Sequence, residues 1–179
     1  MEIKKTSFEG VYMIIPQTFE DERGFFRETF RKNLLEEAVG HKIDFSKIQE
    51  NHSRSVKNTL RGIHVAPWSK LIYCPHGEVQ AVFVDLRKES KTFLQHISFI
   101  IGDKNPIKLF IPPGVGNSYL VLSDYADYIY SVDEYWSTGR EQGILWNDPD
   151  LKIKWMNLTE PNLSEKDRNN PTIKTLFEL

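Results

Sequence analysis

KLIYCPHGEVQAVFVDL, residues 70–86, reads as two apolar, β-branched and aromatic strands, Lys70 to Cys74 and Glu78 to Leu86, interrupted by the turn residues Pro75-His76-Gly77. The same grammar repeats outward in both directions. Gly10 to Ile15, Thr92 to Ile100, Ile107 to Ile111, Ser118 to Leu122 and Asp127 to Val132 are short runs of the same composition, and Gly102-Asp103, Pro112-Pro113-Gly114 and Ser123-Asp124 punctuate them. Many short strands at such spacing predict an all-β antiparallel sandwich or barrel, with a jelly roll as the natural candidate. Helical signals are brief and peripheral. Asn33 is placed to cap Leu34 to Val39 with Gly40 ending the turn in a left-handed conformation, and Ser164-Glu165-Lys166-Asp167 has the spacing of a capping box that Pro171 would stop.

The chain of 179 residues is long enough for one domain, and no composition shift divides it, so residues 1–179 are expected to form a single unit. After Trp155 the sequence turns polar and proline-punctuated, and residues 156–179 are expected to wrap the barrel. A formal net charge of -2 and interspersed acids and bases leave no basic field for nucleic acid. No run approaches the roughly 20 apolar residues of a membrane span, and the first ten residues lack a signal peptide's apolar stretch, which predicts no membrane partner and a cytoplasmic location. The single cysteine, Cys74, reads as a packed side chain.

Chemistry concentrates first in Arg61-Gly62-Ile63-His64, followed by Lys70. A histidine with an ordinary pKa of roughly 6.5 can take and return a proton, while neighbouring cations can hold phosphates or developing negative charge. A lone histidine is a weak signal, however, and equally fits a strand end. Phe19 to Glu28 gathers charge and aromatic surface in one loop, suited to a nucleobase and its phosphates or to a solvated turn. Gln49, Asn51 and Ser53 alternate, so a strand would turn all three to one face. The five histidines include no pair one residue apart, which argues against a metal-dependent jelly roll.

These pieces fall into a single order. Arg23-Gly24, Phe26, Glu28, Gln49-Glu50-Asn51, Leu60 to His64, Lys70-Leu71, Val84 to Arg87, Ile111 to Gly114, Tyr130, Asp133, Tyr135, Trp146 to Pro149 and Leu163 to Asp167 together resemble the dTDP-4-dehydrorhamnose 3,5-epimerase family, from about Phe8 to Pro171. The resemblance implies a cupin-type double-stranded β-helix with short peripheral helices, no metal or other cofactor, and a homodimer acting on nucleotide-linked 4-keto-6-deoxy sugars. Inversion beside a ketone needs a base on one ring face, an acid on the other and an electrophile for the enolate. By resemblance His64 is the base, Asp167 its orienting carboxylate, Tyr130 the acid and Lys70 a cation near the keto oxygen. Arg23, Phe26, Glu28, Gln49, Asn51 and Arg61 match substrate contacts, some expected from a partner subunit. On spacing alone Asp167 reads as a capping carboxylate.

Three positions depart from the family pattern. Gly116-Asn117-Ser118 replaces an alanine-histidine-glycine triplet, Ala81 stands where an aspartate is usual, and Trp136 replaces a second tyrosine; Asn117 and Trp136 are still expected to contact substrate. The triplet resembles a branch acting on GDP-linked 4-keto heptoses, whereas Phe26 and Glu28 resemble the thymidine-binding branch. The nucleotide, the sugar and inversion at one carbon or two therefore stay open here, as do a 3,4-ketoisomerase and a non-catalytic sugar-nucleotide binding module.

Overall fold

The computed structural model describes residues 1–158 and 160–178. In chain order the elements are β1 (Glu2–Lys5), β2 (Tyr12–Ile15), β3 (Thr18–Asp21), β4 (Gly24–Arg27), α1 (Lys32–Val39), β5 (Gln49–Val56), β6 (Leu60–Val65), β7 (Lys70–His76), β8 (Glu78–Asp85), β9 (His96–Gly102), β10 (Lys108–Ile111), β11 (Val115–Val121), β12 (Tyr125–Val132), β13 (Gln142–Gly143), α2 (Glu165–Arg168) and α3 (Ile173–Phe177). One sheet runs β1-β2-β10-β7-β12-β5, a second runs β13-β6-β11-β8-β9, and β3 and β4 form a separate two-stranded sheet. The named strand pairings are antiparallel. This is the expected all-β jelly roll.

Alternation along the strands builds the interior. Ile72 and Cys74 of β7 and Tyr128 of β12 meet Val79, Ala81 and Phe83 of β8 and Tyr119 and Val121 of β11 in one apolar cluster between the sheets. Cys74 is buried there, its Sγ 3.3 Å from the His76 carbonyl, and burial pushes its thiol up to about 12, as a packed cysteine requires. The sheets' outer faces have separate covers. Helix α1 places Leu35 against Tyr12, Ile14, Leu71 and Phe110, and Ile173 of α3 joins Ile63, Val84 and Leu86 on the second sheet. Asp148, in the Trp146 to Pro149 motif, accepts from the Ile173 backbone N–H at 2.8 Å and ties α3 down.

Local boundaries differ from the expectation where tertiary contacts intervene. Helix α1 starts at Lys32 with Arg31 in the capping position and no side-chain cap bond, so Asn33 lies inside the first turn. Burial of Leu35, not a cap, anchors the helix, while Gly40 ends it with φ 86 as expected. Strand β9 begins at His96 because Ser90 and Thr92 each donate a 2.6 Å hydrogen bond to buried Asp85, which holds the segment before it in turns. Helix α3 had no counterpart in the sequence pattern. Among the described residues no helix is long and apolar enough to cross a membrane.

Candidate active site

Arg61 and His64 are three residues apart, and strict alternation would send them to opposite faces. A bulge decides otherwise. On β11 Asn117 faces His64 and Tyr119 faces Arg61, so between them one residue of β11, Ser118, opposes two of β6, Gly62 and Ile63. Gly62 takes φ 109 at the bulge, and a Cβ there would stand 2.6 Å from the Asn117 carbonyl oxygen, so the close approach of the strands requires glycine. Both side chains consequently line one cavity of about 250 Å3 between the sheets, together with Asn51, Ser53, Lys70, Tyr130 and Glu141. A second chamber of about 390 Å3 adjoins it, sharing Asn51, Tyr130 and Glu141 and adding Gln49, Trp68, Val132 and Trp136.

His64 Nε2 lies 2.6 Å from Asp167 Oδ1. Burial raises the Asp167 pKa, but the His64 hydrogen bond and charge, with Ser164 and the Gly62 N–H, outweigh it and hold the carboxyl below its ordinary value. An ionised carboxylate only accepts, so the imidazole donates Nε2–H and keeps its basic lone pair on Nδ1. Asp167 is therefore not the capping carboxylate that its spacing suggests. Ser164 caps α2 by accepting from the Asp167 backbone N–H at 3.0 Å, which frees the carboxylate to face β6.

Across the interior, Tyr130 projects from β12 of the first sheet. Register places it opposite Asn51 of β5 and Ile72 of β7. Burial chiefly, then Glu141 and Tyr119, raise its phenol above the ordinary value, so it carries its proton at neutral pH. Lys70 is only 3% exposed, its Nζ 3.4 Å from Glu141 Oε1 and 5.7 Å from the centre of the Tyr130 ring. Burial lowers its pKa and Glu141 opposes that shift. The arrangement holds a base on one wall, a proton-bearing phenol on the other and a cation beside the phenol. That set suits proton removal next to a carbonyl.

Residues 5–175 match the dTDP-4-dehydrorhamnose 3,5-epimerase family. The chain belongs to that family. A relative from Shigella flexneri named dTDP-4-dehydrorhamnose 3,5-epimerase is 42% identical over 173 residues, covering 94% of each chain. A dTDP-6-deoxy-D-glucose-3,5-epimerase from Legionella pneumophila, solved in complex with dTDP-4-keto-L-rhamnose, superposes with a TM-score of 0.88 at 36% identity, over 96% of this chain and 92% of that one. ChmJ of Streptomyces bikiniensis, a 3'-monoepimerase solved with dTDP-quinovose, gives a TM-score of 0.90 at 31% identity, over 97% and 88% of the two chains. Membership makes this chain an isomerase, a nucleotide-sugar epimerase of cupin-type fold.

Within this epimerase the site residues divide by place. His64, Tyr130, Lys70, Arg61, Asn51 and Asn117 line the inner chamber, and Gln49 and Trp136 join the outer one, where Gln49 Oε1 accepts from the Trp136 backbone N–H at 3.0 Å. Arg23, Phe26 and Glu28 lie elsewhere, on and just past the β3–β4 hairpin, outside both chambers. Arg23 pairs with Asp21 and Glu28 with Arg31, while Phe19, Phe25 and Phe26 are exposed.

The departures from the family pattern are internally consistent. Ala81 is fully buried opposite Tyr119, and Asn117 Oδ1 accepts a 2.9 Å hydrogen bond from the buried Tyr128 hydroxyl. Tyr128 stacks on Tyr119 at 3.9 Å between centroids, and Tyr119 in turn bonds Ser53 at 2.8 Å. Sequence reasoning missed Tyr128, Tyr119, Trp68 and Glu141. Tyr128 had a readable signal, two positions before Tyr130 on the same strand face. Glu141 had none, because its loop has no periodicity.

Proposed function

We propose that this chain inverts C3 and C5 of a dTDP-linked 4-keto-6-deoxy sugar through an enolate. His64 Nδ1 removes the proton from the carbon beside the ketone, and the C–H electron pair moves into the ring as the C4 carbonyl becomes an enolate oxygen. The Lys70 ammonium stabilises that oxygen, with Arg61 on the phosphate side. Tyr130 then delivers its proton to the opposite face of the same carbon. His64 loses its acquired proton to solvent and the tyrosinate regains one, resetting both groups for the second carbon. Asp167 keeps the imidazole oriented and balances its transient positive charge. The observation that carries this reading is the presence of His64 and Tyr130 on facing sheets of one cavity.

The exposed phenylalanines of the β3–β4 hairpin favour a homodimer in which Arg23, Phe26 and Glu28 of one copy complete the nucleotide end of the other's site. Sedimentation of the protein and of a Phe25→Ser, Phe26→Ser variant tests this, the variant being expected to run as monomer. A wild-type monomer would remove the shared site.

The reaction is tested by supplying dTDP-4-keto-6-deoxyglucose in deuterated water and following both carbons by NMR. Deuterium with inversion at C3 and C5 is expected. No incorporation would defeat the proposal, and incorporation at C3 alone would identify a monoepimerase instead. A thermal-shift panel of dTDP, GDP, UDP and CDP checks the nucleotide, with dTDP raising Tm most.

A further inference from the structure

Glu141 is a charged group in the cavity wall to which the reaction above assigns no task. It comes from the loop between β12 and β13, lines both chambers, and is 19% exposed beside an ammonium that is almost fully enclosed. Its carboxylate, the Lys70 Nζ at 3.4 Å and the Tyr130 ring below that ammonium occupy one corner of the cavity, supplied by a loop, β7 and β12. His64 already has its own carboxylate in Asp167.

We propose that Glu141 is an electrostatic positioning residue that holds the Lys70 ammonium in place and keeps Lys70 and Tyr130 bearing their protons when the enolate forms. This rests on the epimerase reading above. The physical argument is one of sign. Burial strips water from Lys70 and drives it towards the neutral amine, which could not stabilise an enolate oxygen; a carboxylate at contact distance reverses part of that loss. Burial and the same carboxylate both disfavour tyrosinate, so the acid stays loaded. The other groups facing this corner do not replace Glu141. Arg61 of β6 acts on Tyr130 in the opposite sense, Tyr119 of β11 acts in the same sense but less than Glu141, and Tyr128 is engaged with Asn117. His64 of β6 and His52 of β5 also line the cavity, each paired with a different aspartate, Asp167 and Asp127.

The test is Glu141→Gln, which keeps size and hydrogen bonding but removes charge. With 13C-labelled tyrosine, and Tyr130→Phe to assign the signal, the Tyr130 titration in the free enzyme should move to lower pH by about one pH unit. With the dTDP-linked ketosugar, kcat should fall about tenfold or more, KM should stay within about threefold, and the alkaline limb of the kcat profile should move the same way. Glu141→Asp, which retains the charge, should leave the Tyr130 titration near wild type. A folded Glu141→Gln protein with wild-type dTDP affinity, an unmoved Tyr130 titration and unchanged kcat would overturn the proposal. If wild type itself does not turn over the ketosugar, the epimerase reading fails, while the tyrosine titration still decides what Glu141 does to Tyr130.

Discussion

His64 of β6 and Asp167 of α2, 103 residues apart in the chain, meet through a 2.6 Å contact between Nε2 and Oδ1 that fixes which imidazole nitrogen is basic. Asp167→Asn presents an amide of the same shape but without charge. It should lower kcat by about 100-fold or more with dTDP binding retained, because the imidazolium loses its counter-charge. Steady-state kinetics beside calorimetry with dTDP check this, and wild-type kcat would break the assignment.

In the proposed mechanism Tyr130 and His64 act on opposite faces, so their removal should have different signatures. His64→Asn is expected to stop solvent exchange altogether. In Tyr130→Phe, deuterium should still enter the sugar by way of His64, but with configuration retained and epimerisation reduced by about 100-fold or more. NMR of the recovered sugar distinguishes the two, and normal inversion in Tyr130→Phe would assign the acid to another group.

Lys70 is a buried cation, and the proposed mechanism gives it the enolate oxygen to stabilise. Lys70→Met combined with Glu141→Gln replaces the pair without leaving an unpaired carboxylate, so Tm should stay level or rise while kcat falls about 100-fold or more. Paired melting curves and kinetics check this. A large drop in Tm with activity intact would make the lysine structural.

Acid stability should be governed partly by Asp85. Burial raises the pKa of this carboxyl, but Arg87, Ser90, Thr92 and a backbone N–H outweigh that and lower it to about 2. A folded-state value below the unfolded one stabilises the fold above the unfolded pKa of roughly 3.9, and that contribution is lost as pH falls towards about 2. The contribution is about 2 kcal/mol. Denaturant titrations between these limits should show the loss in wild type and a flatter response in Asp85→Asn.

The strand pattern was legible because strands covered on both faces show as short apolar, β-branched runs bounded by turn residues, as in Lys70 to Leu86, where β8 is buried along nearly its whole length. The face shared by Gln49, Asn51 and Ser53 was legible from period-two alternation, as they pair with Val132, Tyr130 and Tyr128 of β12. Asp167 was legible only through the family resemblance, because a helix-start carboxylate looks alike whether it caps its own helix or meets a distant histidine. Glu141 was invisible, since a loop residue's neighbours follow from how the chain returns to the sheet.

By itself, then, the order of residues determined an all-β jelly roll and the family, because these depend on local residue pattern and on motifs whose spacing survives in the chain. Tertiary structure alone decided that Arg61 and His64 share a cavity, through a bulge that glycine permits, and that Glu141 stands against Lys70. Charges act through space over a few ångströms, and only the packed sheets set those distances.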